Sequence, residues 1–127
     1  MKRRVIASIG IAVVPLMISV GCLYRHRNAA CRQRGDALSA RVETLQREAH
    51  NKLKIGTKKD AVIRFFSENG IPATFSSGEA SGTTYTSGCA PSGCGSDAAL
   101  LGLRVKVDEV GAVVSEPIVG AIYTNCL

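Results

Sequence analysis

The stretch LKIGTKKDAVIRFFSENGIP, residues 53–72, carries signals for both the start and the end of a helix. Thr57 and Asp60 have the spacing of a capping box, with Asp in place of the usual Glu, which predicts a helix starting at Thr57. Gly70 can take the positive φ that closes a helix, and Pro72 cannot continue it. The residues predicted to form its apolar face are Ala61, Val62, Phe65 and Phe66.

The segment before this helix is predicted to be a second, basic amphipathic helix over residues 28–53. Gly35 and Asp36 leave open an interruption, with Asp36 as an N-cap. The apolar stripe covers barely two heptads, so we expect it to pack on the chain's own domain rather than in a coiled coil. The stripe consists of Leu38, Val42, Leu45, Ala49 and Leu53.

Strand patterns follow the two helices. The predicted strands are residues 83–86, residues 101–107, and a final strand made of 112–115 and 118–124. A hairpin turn is predicted at Asp108–Gly111, and Pro117 is expected to break the final strand. These elements predict an α+β fold in which two helices pack on a three-stranded antiparallel meander, as a two-layer ααβββ sandwich.

The predicted domain organisation has three parts. Residues 1–24 form a signal, a lipoprotein signal or a transmembrane anchor, residues 25–54 form the basic amphipathic helix, and residues 55–127 form a small α+β domain. That domain contains a Gly/Ser/Cys-rich loop at residues 76–98, and the candidate binding loop is a part of the Thr83–Asp97 region. The candidate binding residues are Thr83, Tyr85, Pro91 and Asp97.

The N-terminal segment predicts attachment to a membrane. After Lys2, Arg3 and Arg4, twenty residues without a charge, 5–24, are enough to cross a bilayer core. The run Ser-Val-Gly-Cys at residues 19–22 resembles the lipobox of bacterial lipoproteins, which makes Cys22 the candidate lipidated residue. A lipoprotein and an uncleaved transmembrane anchor both stay open, as does the choice between inner and outer membrane.

Cysteines in a small exported domain predict a disulfide framework, and this places the domain in the periplasm. The candidates for a structural disulfide are Cys89, Cys94 and Cys126, and Cys31 would then be left over or pair between chains. A zinc site and a redox-active thiol pair are weaker alternatives, because a zinc site usually needs four ligands and the motif is not Cys-x-x-Cys.

The net charge of +6 is concentrated in the first half of the chain. Residues 1–60 contain 13 Lys/Arg and 4 Asp/Glu, whereas residues 61–127 contain 3 and 6. A basic half beside a membrane segment suggests attraction to anionic headgroups, but a solvated helix face is the favoured explanation. Nucleic acid is not expected as a partner, because no aromatic residues accompany the basic ones to stack on bases.

Two stretches resemble a known family. LKIGTKKDAVIRFFSENGIP and LRVKVDEVGAVV, residues 103–114, are similar to the small envelope lipoproteins of the SmpA/OmlA type, known as BamE in the outer-membrane barrel-assembly machinery. The resemblance covers about residues 50–124 and implies an ααβββ fold and an envelope setting. The insert at residues 78–97 and the three cysteines of the C-terminal half depart from the signature. The matching positions are Ile55, Gly56, Thr57, Val62, Phe66, Gly70 and Pro72.

No catalytic signature is present in the sequence. There is no Gly-x-Ser-x-Gly elbow, and His26 and His50 lie among basic residues, as expected of surface histidines. We therefore predict a non-catalytic, membrane-anchored module of the bacterial envelope that needs no cofactor and binds protein or lipid, in outer-membrane assembly or maintenance. The alternatives are an inhibitor-like binder of an envelope enzyme, since the module also resembles the repeat unit of secreted β-lactamase-inhibitor proteins, and a cysteine-based redox or metal-binding protein.

Overall fold

The computed structural model describes residues 29–90 and 98–123. The predicted signal or anchor at residues 1–24, with Cys22, lies outside this part of the chain. Within the described residues, no helix is long and apolar enough to cross a membrane. The chain divides after Gln33 into two compact units, and the second, Arg34–Leu127, contains the sheet.

The fold is α+β, with two helices and one antiparallel sheet, as predicted. The sheet has four strands in the order β1-β2-β3-β4 rather than the three predicted. Helix α1 is described over residues 29–52. The other elements are α2 (Lys59–Glu68), β1 (Thr74–Ser76), β2 (Glu79–Ser87), β3 (Ala98–Lys106) and β4 (Ile118–Ile122).

Helix α1 continues through Gly35 and Asp36, where an interruption was left open. A glycine inside a helix costs about 1 kcal/mol relative to alanine, which the packing of the apolar stripe offsets. The stripe is buried as predicted except Val42, which is partly buried; its fully buried members are Leu38, Leu45, Ala49 and Leu53. The helix therefore shares one core with the sheet, so the packing shows no division after residue 54.

The predicted capping box of α2 is wrong, because Thr57 has other partners. Its hydroxyl donates to the Lys52 carbonyl at 3.4 Å, and its own carbonyl accepts a hydrogen bond from the Val113 N–H at 2.9 Å. The N-cap is Lys58, which makes no side-chain capping bond. The predicted apolar face is buried at Val62 and its two phenylalanines, whereas Ala61 is exposed.

The predicted end of α2 is confirmed. Gly70 has a φ of 66°, and the Ile71 N–H donates to the Phe66 carbonyl at 3.0 Å, which is the long hydrogen bond of a Schellman motif. Ile71 is buried, so it packs back on the core. The chain then turns directly into β1.

Strand β1 was missed, and the loop predicted at residues 76–98 was too wide. A tight turn at Ser77 and Gly78, with φ of 52° and 77°, joins β1 to β2. Strand β2 starts at Glu79, four residues before the predicted strand. The pattern failed because Ala80 and Gly82, which lie on the covered side of β2, are too small to produce a visible apolar alternation.

The predicted hairpin turn is confirmed. Gly111 has a φ of 82°, and Asp108 Oδ1 accepts hydrogen bonds from the N–H groups of Val110 at 3.0 Å and Ala112 at 2.8 Å. Beyond the turn, Val113 forms only an isolated bridge with Val107. The chain resumes as β4 directly after Pro117, as expected of a residue that cannot donate to a ladder.

Candidate binding surface

Alternation along the strands gives the sheet two different faces. The face covered by the helices, here called the core face, contributes Ala80, Leu101, Leu103 and Val105 to the hydrophobic core. The opposite face, here called the outer face, is carried by the residues between them. The strand register arranges its central part in three rows: Tyr85–Leu100–Ile122, Thr83–Gly102–Gly120 and Ser81–Arg104–Ile118.

The first row of the outer face is apolar and exposed. Tyr85 is 81% exposed and Ile122 51%, with the half-buried Leu100 between them. Ile118, in the third row, is 54% exposed. Single exposed apolar residues are ordinary, but three large ones together on one side of a small sheet indicate a contact surface.

A groove on the outer face has Gly102 of the middle row on its floor, and Thr83 and Ile122 also line it. A β carbon at Gly102 would meet Ile122 Cδ1 at 3.5 Å and Thr83 Cγ2 at 3.7 Å. Gly120 lies next to Gly102 in the register, and a β carbon there would meet nothing within 4 Å. The groove has a volume of about 390 Å³ and extends to Pro72. An apolar side chain of a partner would lie on Gly102 between Thr83 and Ile122.

The groove has one charged side chain in its lining, that of Arg104, which is exposed. Among the described residues, no ion pair engages Arg104. A guanidinium presents donors in a planar fork that fits a carboxylate bidentately. The groove therefore combines an apolar floor with one group that can pair with a carboxylate or a carbonyl oxygen.

The groove wall at Pro72 is fixed by a close approach on the core face. A Cβ at Gly82 would overlap the Pro72 carbonyl oxygen and lie 2.7 Å from Ile71 Cγ2. Only glycine allows the segment after α2 to cross β2 this closely. The same contact holds β1 beside β2, so the wall is part of the rigid fold.

Two of the predicted binding residues lie on this surface. Thr83 and Tyr85 are in β2, on the outer face, within the strand predicted at residues 83–86. Pro91 and Asp97 lie outside the described residues. Ile118 and Ile122 were not singled out from the sequence, although their spacing of four in a strand places them on one face.

Cys89 and Cys31 are both disulfide-bonded. The expectation that Cys31 is left over or pairs between chains is therefore wrong, because its bond forms within a single chain. Cys94 and Cys126 lie outside the described residues, and the pairing predicted among the other three stays a prediction. The β carbon of Cys89 lies 3.7 Å from the position of a Cβ on Gly35, so this disulfide is held against α1.

The described residues contain no group of three His, Cys, Asp or Glu side chains placed to hold a metal ion. His50 is exposed, with Nδ1 3.9 Å from Glu116 Oε1; His26 lies outside the described part of the chain. The chain matches no protein-family model, no curated protein and no solved structure.

Proposed function

We propose that this chain is a non-catalytic module of the bacterial cell envelope that binds a protein partner through the outer face of its sheet. The observation that carries the proposal is the coincidence of exposed apolar side chains with a groove whose floor is glycine, on one side of the fold. Ile122 and Arg104 line the groove, and the exposed Tyr85 lies in the same row of the sheet as Ile122. Aromatic and arginine side chains around a well-shaped depression are typical of the centres of protein interfaces.

A protein partner is favoured over a lipid surface by the charge of the outer face. Anionic membranes are recognised by clustered Lys and Arg. Beyond Arg104, the outer face adds Lys106, which lies directly opposite Glu79 in the register. One net positive charge provides little attraction to headgroups but suffices to orient a carboxylate on a partner.

Anchoring is a separate part of the proposal and has its own test. The apolar segment at residues 5–24 and the lipobox-like run ending at Cys22 support attachment to an envelope membrane. The intact mass of the protein extracted from its membrane decides between the two anchors. A mass starting at Cys22 with acyl chains means a lipoprotein, and a mass retaining Met1 means an uncleaved helix. A mass starting at any later residue would contradict both.

Site-specific cross-linking tests the binding surface. A photo-reactive phenylalanine analogue replaces Tyr85 in one chain and Glu43, an exposed residue of α1, in a control chain. We expect a discrete adduct with one protein from the Tyr85 position in intact cells and none from the Glu43 position. Equal adducts from both positions, or none from Tyr85, would refute the proposed surface.

A further inference from the structure

The two edge strands of the sheet differ in length and in what covers them. Strand β1 is a three-residue edge, which is short enough to be a poor template for pairing. Strand β4, of five residues, is the other edge. Its outward backbone groups need partners, because an open edge of this length invites pairing with another chain.

The Gln46 side chain of α1 forms two hydrogen bonds to the edge of β4 of the kind that a further strand would form there. Gln46 Nε2 donates to the Pro117 carbonyl at 2.9 Å, and Gln46 Oε1 accepts from the Val119 N–H at 2.7 Å. Both hydrogen bonds are partly buried. A primary amide presents its donor and acceptor as a neighbouring peptide group would, so one side chain satisfies two outward groups.

On the same side of the molecule, backbone hydrogen bonds satisfy the N–H and carbonyl groups of Val113. The Gly56 N–H donates to the Val113 carbonyl at 2.8 Å, and the Val113 N–H donates to the Thr57 carbonyl at 2.9 Å. Outward groups alternate along β4, so Val119 and Ala121 share the outward side. Among the described residues, Gln46 is the side chain whose hydrogen bonds to this edge can be removed without changing the backbone.

The β4 sequence is suited to pair with itself. IVGAI contains no charge that would repel a second copy, and it is rich in β-branched residues. Antiparallel pairing about a two-fold axis at Gly120 would place Val119 opposite Ala121 of the second copy, where both have outward hydrogen-bonding groups. Ile118 would then face Ile122 of the second copy.

We infer that the Gln46 side chain covers the β4 edge, and that loss of its two hydrogen bonds lets two copies of this chain pair antiparallel through β4. The joined sheet would have eight strands, and each outer face would continue into the other. The inference concerns the sheet edge and is independent of a partner bound to the outer face.

The test uses the full chain in detergent, with its disulfides intact. Gln46→Leu removes both hydrogen bonds at nearly constant size, and Arg47→Leu adds the same apolar side chain at the next, exposed position as a control. At a dilution at which Gln46→Leu is monomeric, hydrogen exchange of its Val119 amide should be about fivefold faster than in wild type, the factor for one lost hydrogen bond. At higher concentration, native mass spectrometry should show dimers of Gln46→Leu and monomers of Arg47→Leu.

A second substitution shows whether the dimer uses β4. Ala121→Pro removes an outward N–H without removing a hydrogen bond to β3, so the Gln46→Leu, Ala121→Pro chain should be monomeric. A Gln46→Leu chain that remains monomeric overturns the inference, as does a dimer that survives Ala121→Pro. If Gln46→Leu does not fold, Gln46→Ala, which also removes both hydrogen bonds, is judged by the same outcomes.

Discussion

The two faces of the sheet are built from the same strands but differ in what covers them. On β3, Leu101 and Leu103 are 1% exposed beneath the helices, whereas Leu100 and Gly102 on the outer face remain accessible. The core face stabilises the fold by burial of apolar side chains. The outer face leaves Tyr85 exposed to solvent, and a bound partner would bury its ring.

Neighbouring leucines on β3 give the sharpest test of this difference. Leu101→Ala leaves a cavity in the core and should lower the free energy of unfolding by about 2–5 kcal/mol. Leu100→Ala, one residue away on the outer face, should lower it by less than about 1 kcal/mol, because the side chain is only half buried. Urea unfolding followed by circular dichroism measures both free energies, and equal losses would contradict the proposed difference between the core face and the outer face.

Glycine has opposite roles on the two faces, and Gly82→Ala tests the core-face role. The added methyl group would overlap the Pro72 carbonyl and should destabilise the fold by about 3 kcal/mol, the upper range for overpacking. Gly78→Ala, at a positive φ in the turn before β2, is a control for backbone strain alone and should cost about 1 kcal/mol. A Gly82→Ala chain as stable as Gly78→Ala would argue against the close crossing.

Cys89, which is disulfide-bonded, lies two residues after the end of β2. Cys89→Ser should lower the free energy of unfolding by about 2 kcal/mol under oxidising conditions. Ala90→Ser, at the next half-buried position, should have little effect. Because the disulfide restrains the unfolded chain, a reducing agent should remove the difference between wild type and Cys89→Ser. A difference that persists after reduction would mean that packing, not the bond, is responsible.

The sequence predicted those parts of the fold in which large apolar residues repeat. The α1 stripe, the close of α2 at Gly70 and the turn at Asp108 were all predicted correctly, because each depends on neighbours in sequence. Strand β1 was missed, since three mostly polar residues carry no period. The role of Gln46 was also beyond the sequence, because its hydrogen bonds join residues 71 and 73 positions apart.

The candidate surface was predicted only at Thr83 and Tyr85. The apolar row around Tyr85 depends on the register that brings Leu100 and Ile122 beside it, and no local pattern encodes a register across three strands. The place of Gly102 on the groove floor was likewise unrecognisable until the strands were paired.

The most direct test of binding through the outer face is to place a side chain beside the groove without disturbing the core. Gly120→Val adds a side chain next to Gly102 of the groove floor. Its β carbon would meet nothing within 4 Å, so the free energy of unfolding should stay within about 0.5 kcal/mol of wild type. The adduct from a photo-reactive residue at position 85 should then disappear in the Gly120→Val chain. An unchanged adduct yield in that correctly folded chain would contradict the proposal that the groove receives the partner.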